Sequence, residues 1–292
     1  MTTALAEAPG RSPTGFVHRH PLLVFFAWFF TVGQAIAFTP LVLAANGVDV
    51  PVHLFIIAST LVGLVLPALV ITRIVDGRVG LRRLLASALR VRVRPRWWIA
   101  AVLVVPLAAI ALWFAIFGMP RGASVDVVWT IVGVTSAQAL IGLVTANWGE
   151  ELAWTGFVQS RLQRGRSIRL AAVMTAPLFA LQHISMAAQN GLVGGVVVIL
   201  VLAALAVPFR LLTGWLASRS GSILLVGVFH AVGNAVSSGS GFGEGTLRML
   251  YPASPFGFAH LAAYALIALV VLVVTRGRFG DRPVLARVGN DA

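Results

Sequence analysis

The chain has 292 residues; 59% are hydrophobic, 11% are charged, and the net charge is +13. A soluble globular domain carries about 25% charged residues, so a water-soluble fold is excluded and an all-α polytopic membrane protein is expected. Cysteine is absent, which rules out disulfides, iron–sulfur ligation and thiol catalysis.

Residues 1–20 read as a flexible N-terminal tail. Eight apolar stretches follow, near 22–45, 53–75, 97–118, 126–148, 168–187, 191–209, 221–237 and 257–275. Each is long enough to cross or nearly cross a bilayer, which takes about 20 helical residues. The first is too long for a signal-peptide core and reads as a retained helix. Between the second and third stretches, residues 78–96 are arginine-rich and amphipathic, as expected for a helix on the inner membrane surface. The fourth stretch is expected to continue as helix through Glu150 to about residue 163. The expected membrane domain is 21–276, and 277–292 form a basic C-terminal tail.

All 22 basic residues are arginine. With eight spans and the N-terminus inside, twenty of the 22 fall on one side and only Arg121 and Arg248 on the other, as the positive-inside rule requires. The positive charge is thereby assigned to topology and anionic lipid headgroups, not to nucleic acid. The expected location is the bacterial cytoplasmic membrane, with both termini cytosolic.

Against this apolar background stand Glu150 and Glu151, two of only nine acidic residues. An ionisable group at membrane depth costs at least about 2.5 kcal/mol and marks function by default. Counting helical rise from the inner arginines Arg161, Arg169 and Arg219 puts Glu150, His183 and His230 at roughly 16, 21 and 16 Å depth, so the three can meet at one level. His230 and Asn234 are four residues apart and share a helix face, and Phe179 stands in the same relation to His183. Glu150 and Glu151 point about 100° apart, so they need not do the same job. Imidazole nitrogens and carboxylate oxygens suit zinc with an open position for water, and a nearby carboxylate can serve as general base. The chemistry implied is hydrolysis without a covalent nucleophile.

Each residue also has a plainer reading. A lone histidine in a membrane helix is more often an interhelical hydrogen bonder than a catalyst. His260 opens the eighth stretch on the outer side, far from the proposed depth, and reads as structural. Trp97, Trp98 and Trp148 read as interface or packing residues.

Three segments, in order, resemble the motifs of the intramembrane metalloprotease family of CAAX prenyl endopeptidases and bacteriocin-processing proteins (CPBP). The first family motif is two glutamates, three variable residues and Arg-Gly; here it reads Glu150-Glu151-Leu152-Ala153-Trp154-Thr155-Gly156. The second, Phe-x-x-x-His, reads Phe179-Ala180-Leu181-Gln182-His183, and the third, His-x-x-x-Asn, reads His230-Ala231-Val232-Gly233-Asn234. The resemblance covers about residues 126–237. It implies an eight-helix enzyme open toward the cytosolic half of the membrane. Glu150 would be the general base and Glu151 a second acidic site residue. His183, His230 and Asn234 would bind zinc or another divalent metal, or stabilise the oxyanion. The implied substrate is a peptide or membrane-protein segment.

Thr155 departs from the motif, since the family has arginine there. Three outcomes are open: another arginine fills the gap, specificity is altered, or activity is lost. Two other classes of function therefore stand beside the protease, a catalytically silent membrane scaffold and a proton-coupled transporter. The order of the three motifs and the lack of visible repeats favour the protease over the transporter. Reporter fusions after residues 122 and 165 should report opposite sides of the membrane; the same side for both would remove the shared-depth argument.

Overall fold

The structure, a computed structural model, describes residues 15–120, 125–237, 239, 243–252, 259–277 and 279. Most of the two expected terminal tails lies outside the described residues. Among the described residues the chain is helical, without strands. Its main helices are α1 (Pro21–Ala45), α2 (Val52–Val75), α3 (Gly77–Ala88), α4 (Pro95–Phe117), α5 (Val125–Leu162), α6 (Ile168–Leu181), α7 (Gly191–Ser220), α8 (Ile223–Val236) and α9 (Ala259–Val274). By length and composition α1, α2, α4, α5 and α7 can each cross a membrane, while α6, α8 and α9 are shorter apolar helices. Every one of the eight apolar stretches is thus a helix. The amphipathic segment is α3, with Arg78, Arg82 and Arg83 exposed and Leu84, Ser87 and Ala88 buried.

The helix ends follow from local chemistry. Proline opens α1 and α4, where its missing N–H is no loss. The hydroxyls of Ser167 and Ser222 accept the free N–H groups of Leu170 and Leu225 at the starts of α6 and α8. Gly221, with φ of 67°, ends α7 in the left-handed conformation. Wide π-type turns interrupt α1 at Phe29–Gly33, α2 at Ser59–Val65, and α5 at three places, of which Leu143–Asn147 and Leu152–Gln159 flank the two glutamates. Such turns gather at functional positions.

The exterior is apolar and the interior carries the polar groups. Leu192 is 85% exposed and Val144 74%, whereas Glu151, Thr155, Gln159 and Arg210 are fully buried. Water would favour the reverse; lipid tails favour this arrangement. The chain is an integral membrane protein. Within it α6 packs on α7, α7 on α9, and α8 against both α4 and α5.

The wide turns of α1 and α2 meet where two glycines face each other. A Cβ on Gly63 would lie 2.6 Å from the Cα of Gly33, closer than packed atoms come. Gly63→Val should therefore force the two backbones apart and destabilise the protein by about 1–3 kcal/mol, read as a lower melting temperature in detergent.

Candidate active site

Helix α5 presents its two glutamates in a short α-helical turn, Trp148–Glu151, between the two wide turns. Helix α8 lies against that turn because Gly227 has no side chain: a Cβ there would meet the Cα of Trp148 at 3.2 Å. Neighbouring residues of a helix diverge by about 100°, and the two carboxylates accordingly enter different surroundings.

Glu150 faces a cavity of about 440 Å³. Its Oε1 accepts from Gln182 Nε2 at 2.6 Å, and its Oε2 accepts from Asn147 Nδ2 at 3.4 Å and lies 3.6 Å from His230 Nδ1. The amide of Gln182 is oriented from behind, because the indole N–H of Trp154 can only donate and takes the amide oxygen. The amide N–H group is left to point at Glu150. Gln34 completes the set by donating to the Gln182 carbonyl at 3.3 Å.

Glu151 does not line the cavity. It is fully buried, and its Oε1 accepts from Arg210 Nη2 and lies 2.9 Å from His230 Nδ1. Its Oε2 accepts from Thr155 Oγ1 at 2.5 Å, and that hydroxyl in turn accepts from Arg210 Nη1 at 3.4 Å. The Arg210 guanidinium lies over two rings, 4.5 Å from the centroid of Phe179 and 4.4 Å from that of Phe209. Both rings also contact His230, and Phe179 stands edge-on to His183 at 5.3 Å. The main chain of α7 is tied to α5 as well, Gln159 Nε2 donating to the Arg210 carbonyl at 2.9 Å.

His183 sits in the turn that follows α6, while His230 and Asn234 lie one helical turn apart on α8. All three line the cavity with Glu150. Two sequence readings need correction. Arg210, assigned to an inner loop after a span ending at 209, is inside the continuous helix α7 and fully buried, so it leaves the tally of inner-side arginines. His260, assigned to the outer side away from the site, lines the same cavity next to Tyr264, with its Nδ1 buried and unpartnered among the described residues. Sequence reasoning also missed Gln182, Trp154 and Asn147. Gln182 adjoins His183 and Asn147 lies within one turn of Glu150, which was the available signal.

The histidines and carboxylates are donor types that zinc accepts, and His230 Nδ1 lies against the Glu151 carboxylate, a pairing of the kind that orients metal-bound histidines. Among the described residues, however, no three His, Cys, Asp or Glu side chains converge to hold a metal ion. A two-histidine site would have to be completed by Asn234 or water.

Residues 132–236 match the family described as type II CAAX prenyl endopeptidase Rce1-like. The match runs from within α5 to the end of α8 and contains both glutamates, His183, Arg210, His230 and Asn234. No curated protein and no solved structure matches the chain.

The different surroundings of the two glutamates predict different stabilities for their variants. Glu151→Gln leaves the buried Arg210 charge without its counter-ion and should cost about 3–5 kcal/mol. Glu150→Gln retains hydrogen-bonding oxygen and nitrogen atoms at the cavity wall and should cost about 1 kcal/mol or less. Thermal melting of the two variants in detergent, side by side, checks the ranking.

Proposed function

We propose that the chain, whose residues 132–236 match the Rce1-like type II CAAX prenyl endopeptidase family, is an intramembrane, metal-dependent endopeptidase that hydrolyses a peptide bond near the cytosolic side. The observation that carries this reading is the carboxylate of Glu150, held by Gln182 and Asn147 at the wall of a cavity that it shares with His183, His230 and Asn234. Its proposed substrates are leader peptides, C-terminal tails or membrane-protein segments.

In the proposed reaction a cavity water gives a proton to Glu150 as its oxygen attacks the scissile carbonyl. The tetrahedral intermediate collapses with cleavage of the C–N bond, and Glu150 returns the proton to the leaving amine. Gln182 and Asn147 keep the carboxylate aimed without protonating it. Glu151 acts through His230: an imidazole that donates from Nδ1 to a carboxylate presents the lone pair of Nε2 on its other side. The Asn234 amide is one turn away and can stabilise the developing oxyanion. A divalent metal such as zinc, held by His183, His230 and Asn234, would supply Lewis-acid polarisation of the carbonyl and a more acidic water.

A second reading is favoured by one observation, the lack of three converging His, Cys, Asp or Glu side chains among the described residues. It is a catalytically silent relative that binds a peptide or membrane partner in the same cavity.

Hydrolysis of a peptide library by detergent-purified protein separates the two. Glu150→Gln should lower the rate by about 10²–10⁴-fold, with His183→Ala and His230→Ala similarly impaired and all three variants still inserted in the membrane. Chelation should abolish the rate and added zinc restore it. Wild-type rates from Glu150→Gln would contradict the glutamate base, and chelator-insensitive hydrolysis by metal-free protein would remove the metal.

A further inference from the structure

We infer that Arg210 is the positioning arginine of this site, carried by α7 in place of the arginine that the first motif carries on the glutamate helix, and that Thr155 is its matched partner and not a lost residue. The inference rests on the protease reading for its catalytic consequence and on geometry alone for the pairing.

The motif resemblance puts an arginine four residues after the second glutamate, where it shares that glutamate's helix face. Here that position is Thr155. The hydroxyl of Thr155 and the carboxylate of Glu151 are both contacted by one guanidinium, and it comes from Arg210 on a different helix. The charge therefore occupies the place a motif arginine would reach, from the opposite direction. A small side chain at position 155 is what leaves room for it. Arg210 is fully buried in an apolar helix, its plane is covered by Phe179 and Phe209, and its own carbonyl is bound by Gln159.

Its role is to hold Glu151 in position. With Nη2 on Oε1 and Nη1 on the Thr155 hydroxyl that donates to Oε2, both carboxylate oxygens are fixed. Oε1 is then directed at His230 Nδ1, and the imidazole, packed against the same two aromatic rings, is fixed in turn. Arg210 does not line the cavity and so acts on a bound peptide only through Glu151 and His230.

The test compares wild type, Arg210→Met, Thr155→Arg and the double variant. Arg210→Met should lower kcat by about 10–100-fold with KM little changed, the size typical of losing a group that orients a site ligand from behind. Thr155→Arg alone should also lose activity, because two guanidiniums then compete for one carboxylate in a filled space. The double variant, with the charge moved back to α5, should recover most of the lost kcat, a coupling of opposite sign to two independent defects. Arg210→Lys, which keeps the charge without the fork, should fold and fall between wild type and Arg210→Met. Undiminished kcat in folded Arg210→Met, or a double variant no better than the worse single, would overturn the inference. Absence of peptide hydrolysis by the wild type would defeat the protease reading instead. Melting temperatures of the same four proteins would then still decide the pairing: a double variant more stable than either single supports it, and one no more stable than either single refutes it.

Discussion

A carboxylate sealed inside a membrane protein persists as a charge only when a cation is sealed in with it. Glu151 and Arg210 are that pair, both without solvent exposure. Burying two charges exacts a large desolvation cost, and their attraction offsets it only when the remaining hydrogen-bonding atoms are also satisfied. Thr155 and His230 satisfy much of that need on the carboxylate side, and Phe179 and Phe209 cover the guanidinium.

The pair also sets the arrangement of the helices around it. It ties α5 to α7, and through His230 it ties both to α8; Phe179 brings in α6. These are the helices of the family match, which ends with α8. The remaining helices shape the approach. α1 contributes Gln34, which holds the Gln182 carbonyl; α2 contributes Ser59 and Thr60 to the cavity wall, and α9 contributes His260 and Tyr264. Glu150 thus stands at the cavity wall while Glu151 is paired with Arg210 inside the bundle. The different surroundings of two adjacent, identical residues arise from a rotation of about 100° along one helix.

Much of this was legible in the sequence. The eight apolar stretches are helices, most with boundaries near those expected, and α5 continues past Glu150 to Leu162 as expected. Glu150, His183, His230 and Asn234 stand out by type and spacing, and all four line one cavity. Arg210 was not legible for a physical reason. Hydropathy ends a span where a charge interrupts the apolar run, whereas the helix continues to Gly221 because its backbone has no reason to stop. The partner that makes the charge tolerable is 59 residues away in sequence. His260 is misplaced by the same reasoning, since counting residues from a loop gives depth along one helix but not which cavity that helix lines. Gln182 was passed over because an amide carries no charge to draw attention, and its role depends on Trp154, a contact made only in the folded chain.

The proton on the His230 imidazole reports most directly whether Arg210 and Glu151 together fix its orientation. NMR of histidine labelled at both ring nitrogens, in detergent-solubilised protein with the His230 signal assigned from a His230→Gln sample, distinguishes the nitrogen that carries it. The expected result is a single species with the proton on Nδ1 toward Glu151 and Nε2 bare or metal-bound, and loss of that single species in Arg210→Met. A proton on Nε2, or the same spectrum with and without Arg210, would contradict it.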